Sequence, residues 1–377
     1  MTDTLAPSNP RRFTALDVFR GLTIFLMILV NTAGPGAPAY ATLVHAKWFG
    51  FTLADSIFPT FLFAMGNAMS FAGRRRIDTA PYLTRLFKRG AIIFTLGFLM
   101  YWFPFVTHTD AGWAPIPFAL TRVPGVLQRL ALCYVAAGLL VRWLTVRQIL
   151  IASAVLLLGY WAMLVFLSPP GMAFDKFGTV GTRLDLWLFG PGHLYKKDGG
   201  FDPEGLLGTV PAIVNVLAGY LAGLAVQRGG DLSRTIRSMA IIGVVLIASG
   251  LAWSPWFPLA KKLWTGSYVL LTIGIDCIAL AAIIALVEIA GVKRGTRFFI
   301  ILGRNPLAIY LFSELFVTAI NMIDTGADGG LYGWIGIELF QRIAPGAFGS
   351  LLCAFAYTML CWAVGWWMDR KGLILKA

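Results

Sequence analysis

Histidine is scarce in this chain, and so is charge. Only three histidines (His45, His108, His193) and four cysteines (Cys133, Cys277, Cys353, Cys361) occur in 377 residues. No HExxH run and no CxxC pair is present, so the common ligand sets for zinc are missing and no metal is expected. The cysteines all fall inside apolar runs, where they read as small buried hydrophobes rather than disulfide partners. A GxxxxGK[ST] phosphate loop is also missing, which excludes an ATP-driven pump of that type. No internal repeat of the kind that builds many transporters is visible, and no separate soluble domain.

Charged residues make up 13% of the chain against 58% hydrophobic, and the mean hydropathy is +0.75. The charges fall in clusters, separated by apolar runs about long enough to cross a bilayer. Lipid leaves backbone groups no partner but their own segment, so helices are expected. The fold class is therefore all-α, a polytopic integral membrane protein with about ten helices in one bundle. The predicted spans are 16–34, 55–73, 89–107, 124–141, 148–167, 206–226, 238–256, 265–288, 298–320 and 348–367. They make one domain over 16–367, with short tails at 1–15 and 368–377. No A-x-A-like cleavage site follows the first span, which reads as an uncleaved helix.

The net charge of +13 has a membrane explanation, because cytoplasmic loops collect Lys and Arg. No nucleic-acid partner is implied. With the N-terminus in the cytoplasm, most basic residues, among them Arg11, Arg12, Arg74, Arg75, Arg76, Arg304, Arg370 and Lys376, share one side. Both termini are then cytoplasmic. The longer loops, 35–54, 108–123, 168–205, 257–264 and 321–347, face the other side and hold all three histidines. The segment LYGWIGIELF (Leu331 to Phe340) is too short to span and is placed in the interface.

Three constellations carry chemistry. The first is His45, with Asn31 closing span one, Trp48 three residues on, and Asp55 at the start of span two. An imidazole can take a proton near neutral pH or attack an acyl carbon, and an Asn amide can donate to an oxyanion. Asp55 either caps its helix or orients His45. The second is FDPEGLLGTVPA, where Asp202 and Glu204 either start a helix or hold an amine or sugar hydroxyls. The third is a polar path inside the spans: Asp17 and Arg20, Gln128 and Arg129, Asp276, Arg304 and Asn305, and Glu314.

Six blocks, LDVFRGLTIFLMILVN, HAKWFGFTLADSIFPTFLFAMG, PGVLQRLALCY, FDPEGLLGTVPAI, KKLWTGSYVLLT and GRNPLAIYLFSE, carry a family resemblance in order over nearly the whole chain. The chain resembles the transmembrane acyltransferases typified by heparan-α-glucosaminide N-acetyltransferase, and more so their bacterial relatives associated with N-acetylglucosamine use. The resemblance implies transfer of acetyl from cytoplasmic acetyl-CoA to a glucosamine amine across a bacterial inner membrane. It carries the catalytic role to His45, with Asn31 and Asp55 at matching positions. The linker TAGPGAPAYATLV departs from the family's shorter glycine run, and the eukaryotic form's extra luminal domain is missing. A small amino sugar is therefore the expected acceptor.

On that reading Arg20, Arg129 and Arg304 hold the CoA phosphates, with Gln128, Asn305 and Ser313 along the same path. Trp48, Asp202, Glu204, Lys262, Trp264 and Glu314 shape the sugar site. His45 acts as a base or accepts the acetyl group first. The alternative is a transporter of N-acetylglucosamine or a related sugar. Gly219 and Gly223 permit close helix packing within one chain or in a homodimer.

Overall fold

The structure is a computed structural model that describes residues 13–71, 78–109, 112–326 and 330–375. Arg11, Arg12, Arg74, Arg75, Arg76 and Lys376, used above to orient the chain, lie outside the described residues, as does most of the expected N-terminal tail.

All ten apolar segments are helical. They form α1 (Thr14–Asn31), α2 (Leu53–Phe71), α3 (Thr79–Trp102), α4 (Val126–Trp143) and α5 (Val146–Leu167). A short α6 (Val180–Phe189) precedes α7 (Thr209–Arg228), α8 (Leu232–Trp253) and α9 (Gly266–Ile284). The ninth segment is split into α10 (Thr296–Arg304) and α11 (Pro306–Asn321). Short α12 (Gly330–Trp334) and α13 (Gln341–Ile343) flank a π-helical turn over Ile335–Phe340, so LYGWIGIELF is helical throughout, and α14 (Ala347–Arg370) closes the bundle.

Seven of these helices are long and apolar enough to cross a membrane, and the bent pair α10–α11 would make eight. Local sequence explains several ends. Thr145 and Gln148 form a reciprocal capping box at the start of α5. Asp231 accepts from two backbone amides at the start of α8.

Three expectations need correction. The third helix runs over Thr79–Trp102, beginning ten residues before the apolar segment predicted at 89–107, so Arg85, Lys88 and Arg89 are helical. The ninth is not a straight rod: its halves meet at 81°, where Pro306, lacking an N–H, opens a new helix after Asn305. Loop 108–123 contains a β-hairpin, β1 (Val106–Thr109) against β2 (Gly112–Pro115), with His108 opposite Trp113.

Glycine seams set the closest helix contacts. A Cβ on Gly66 of α2 would stand 1.8 Å from the Val216 carbonyl oxygen, and one on Gly219 of α7 1.9 Å from that of Phe63. Gly223 likewise faces Ser70 of α2, so both glycines considered for contacts between chains are spent inside this one. The seam α1–α10 is built the same way from Gly21 and Gly303. These seams bring the long loops together at one end of the bundle. The Trp48 indole donates to the Phe174 carbonyl at 3.0 Å, the Gly50 amide to Leu259, and the Val123 amide to His193.

Gly66→Ala should lower stability in detergent by about 1–3 kcal/mol, since overpacked cores cost that much. Gly159→Ala is the control, because nothing lies within 4 Å of its added carbon. Equal melting temperatures for the two variants would refute the seam.

Candidate active site

A cavity of about 610 Å³ opens where the long loops converge. Asn31 and Met27 of α1, Ala54 and Phe58 of α2, Tyr101 of α3, and Tyr310 and Glu314 of α11 line its wall. His45, Lys47, Arg122, Lys197, Glu204, Lys261 and Lys262 reach it from the loops.

Asp55 sits beneath it with no exposed surface. Its two oxygens divide the roles that the sequence left open. Oδ2 accepts from the Thr52 amide and hydroxyl at 3.0 Å each and from the Ala46 amide at 3.2 Å, pinning the start of α2 and the loop before it. Oδ1 lies 2.9 Å from Nδ1 of His45. A carboxylate only accepts, so Nδ1 carries the proton and Nε2 keeps its lone pair. That leaves Nε2 as the ring nitrogen able to take a proton. The Lys261 amino group lies 3.0 Å from Nε2.

Asn31 donates its amide to Glu314 at 3.1 Å, which links α1 to α11 across the cavity. One amide hydrogen of Asn31 is left for a developing oxyanion. Glu314 offers a carboxylate to an ammonium group.

The opposite wall is a charge cluster. Arg122 grips Asp202 through Nε at 2.8 Å and Nη2 at 2.5 Å, and Glu204 through Nη2 at 2.5 Å. Its guanidinium lies between the rings of Tyr101 and Tyr195, 4.9 and 4.5 Å from their centroids. Burial pushes the Asp202 carboxyl up, against the pull of Arg122. Burial acts on Glu204 too, but the charges of Arg122, Arg129 and Lys261 hold it below the ordinary value. Asp198 closes the rim, 2.5 Å from both Lys176 and Lys262.

Trp264 and Arg129 lie under this floor. Trp264 is fully buried at φ +56, a left-handed conformation costing about 1–3 kcal/mol for a non-glycine residue. Its indole donates to Asn215 at 3.1 Å, and the Arg129 guanidinium stands 4.8 Å over its ring. Arg129 donates to the Gly205 carbonyl at 2.9 Å. Trp264 therefore cannot stack on a sugar, and Arg129 braces the His45 end rather than reaching the opposite one. Trp48 and Asp202 do not line the cavity either: Trp48 packs on Phe201, and Asp202 stands behind Arg122.

A smaller cleft of about 140 Å³ opens further down the same helices. Arg20, Phe61, Arg89, Leu130, Tyr134 and Leu307 line it. Helices α1, α2, α3, α4 and α11 thus border both spaces, and Phe58 and Phe61 are one turn apart on α2. Arg20 bonds Asp17 at 2.7 Å and the Gly303 carbonyl at 2.6 Å. Arg89 lies 5.2 Å over the Tyr134 ring.

The remaining expected residues are engaged elsewhere. Arg304 pairs with Asp369, and Asn305 bonds the Leu373 carbonyl and the Leu375 amide, so both hold the segment 369–375. Ser313 donates to the Tyr310 carbonyl. Gln128 is buried between Gly97 and Gly125, with neither amide atom bonded. Among the described residues no cluster of three His, Cys, Asp or Glu side chains can hold a metal. Sequence reasoning missed Lys261, Arg122 and Arg89 as site residues. Lys261 had a signal, since it begins the quoted KKLWTGSYVLLT block; Arg122 stands two residues before PGVLQRLALCY.

Removing Arg122 strands two buried carboxylates. Arg122→Met should destabilise the protein by about 3–5 kcal/mol at neutral pH, read by thermal unfolding in detergent. The deficit should shrink as pH falls and the stranded carboxyls take up protons. Wild type should show the opposite trend at Glu204, whose depressed pKa gives stability above about pH 4.5 that is lost on acidification. A pH-independent deficit would refute the cluster's role.

The sequence model of heparan-alpha-glucosaminide N-acetyltransferase, catalytic region, matches residues 12–183. The chain is 28% identical to heparan-alpha-glucosaminide N-acetyltransferase of Homo sapiens over 363 residues, 81% of this chain and 53% of that protein. It is 26% identical to the Mus musculus protein of the same name, over 82% of this chain and 54% of that one. The chain spans about half the length of these curated relatives. The matched region contains His45, Asn31 and Asp55. The chain is thus similar to heparan-alpha-glucosaminide N-acetyltransferase, most clearly over the catalytic region matched at residues 12–183.

Proposed function

We propose that this protein acetylates the amine of a small glucosamine-type sugar at the extracytoplasmic face, using acetyl-CoA from the cytoplasm of a bacterial cell whose inner membrane it spans. The observation that carries the reading is the His45–Asp55 pair, with His45 lining a cavity that Asn31 and Glu314 also line.

The sugar amine enters as an ammonium and is held by Glu314. His45 Nε2 takes its proton, and Asp55 stabilises the imidazolium that results. The freed amine attacks the thioester carbonyl carbon, while the Asn31 amide donates to the oxygen that gains charge. His45 passes this first proton to solvent, takes the second proton from the nitrogen of the tetrahedral intermediate, and gives it to the thiolate as the carbon–sulfur bond breaks. Lys262 and Asp198 form the rim that the sugar hydroxyls meet. CoA supplies the activated acetyl group. Its phosphates suit the cleft lined by Arg20 and Arg89, where Arg89 has no carboxylate partner within salt-bridge distance among the described residues. The seam between α2, α4 and α11 is the route for its arm.

In purified protein, His45→Ala should lose about 10²–10⁴-fold in acetyl transfer from acetyl-CoA to glucosamine, the usual contribution of a positioned base. Acetyl-CoA should still raise the variant's melting temperature, since the cleft is intact. Full activity in His45→Ala would overturn the assignment. Arg89→Ala should weaken stabilisation by CoA but leave stabilisation by glucosamine; equal responses would remove the cleft from the reading.

A further inference from the structure

Lys261 is the one group at the base that the reaction above leaves idle. It belongs to the loop between α8 and α9, and its side chain is 14% exposed. Nζ lies 3.0 Å from Nε2 of His45, 3.1 Å from Nδ1, and 4.0 Å from Oδ1 of Asp55. Nδ1–H is committed to Asp55, so Nε2 is the only ring nitrogen that can receive a proton. The near-equal distances place Nζ over the ring edge between the two nitrogens, so a primary amine belonging to the chain itself stands within reach of the base, and a small turn of the imidazole aims Nε2 at it.

We infer that Lys261 is a self-acetylation site of this protein, modified on Nζ when an acetyl thioester occupies the cavity and no acceptor is bound. This rests on the acetyl-thioester reading above. Nζ attacks the carbonyl carbon and a nitrogen–carbon amide bond forms. The carbon–sulfur bond breaks, and Nε2 of His45 carries the proton from Nζ to the departing thiolate. The products are N-acetyl-lysine and a free thiol, with no other reactant needed. The amide then fills the space before Nε2, so the modified protein is closed to acceptor.

The surroundings support Nζ as a nucleophile. Burial is the largest influence and pushes its pKa down to about 8. Glu204 and Asp55 oppose the shift, and Arg129 and Lys262 add to it. Roughly a tenth of Lys261 is then free amine at pH 7, far more than for an ordinary lysine. Neighbouring Lys262 is engaged differently, 2.5 Å from Asp198. Lys47 and Lys197 line the same cavity without a bond to His45, and the three serve as internal controls.

The test incubates purified full-length protein with acetyl-CoA alone and maps acetylated lysines by peptide mass spectrometry, with transfer to glucosamine measured in parallel. Acetyl should accumulate at Lys261 well above Lys47, Lys197 and Lys262. It should rise about eightfold in rate from pH 7 to 8.5, following the free-amine fraction. Added glucosamine should suppress it, and His45→Gln should abolish it. Acetyl spread evenly over the lysines, or equal labelling of Lys261 in His45→Gln, overturns the inference even if glucosamine is acetylated normally. Labelled Lys261 without sugar transfer would uphold it and refute glucosamine as acceptor. Neither product would sink both readings.

Discussion

The buried carboxylate of Asp55 is the constraint on which the functional end of the molecule depends. A charge with no exposed surface is tolerable only when its lone pairs are filled, and here four donors fill them. Three come from the chain that leads into α2, so the carboxylate shapes the loop 44–55 and seats α2. The fourth is His45. Backbone conformation and direction of the imidazole are thus set by one group. Tyr268 adds a tie from α9, donating to the Asp55 carbonyl at 2.6 Å.

Around that group the structure balances charge in layers. Arg122 neutralises Asp202 and Glu204 on the far wall. Beneath the floor, Arg129 has two guanidinium nitrogens without hydrogen-bond partners and uses the face of Trp264 instead. The strained backbone of Trp264 is held by what surrounds it, with Phe58 and Tyr268 edge-on to the indole. The site is stiff because its polar parts are locked by aromatic ones, and the glycine seams below bring the helices close enough for both.

Much of this was legible in the sequence, for physical reasons. Apolar runs of bilayer length have few solutions, so all ten segments appear as helices. The bend at Asn305–Pro306 was written in the proline, but hydropathy averages over it. That His45 and Asp55 could meet was legible because both stand at the entry to the second apolar run, ten residues apart; the role proposed for them came from the family resemblance. The distant partners were not legible. Arg122 lies 80 residues from Asp202, and Lys261 lies 216 from His45, so their meeting is a property of helix packing. Trp264 shows the opposite failure: an indole beside a polar loop suggests a sugar platform, yet its position at φ +56 turns it into the core. Arg304 was read as a ligand for phosphate, and Asn305 as part of the cofactor path, because nothing local hinted that residues 369–375 fold back onto them.

That fold-back changes what the end of the chain is. Asp369, the Leu373 carbonyl and the Leu375 amide all fasten to the corner between α10 and α11, and the next two residues beyond that corner, Pro306 and Leu307, border the cleft with Arg20 and Arg89. The last described residues are therefore masonry of the vestibule. A load attached there bears on the corner, and through it on the wall of the cleft that Arg20 and Arg89 line.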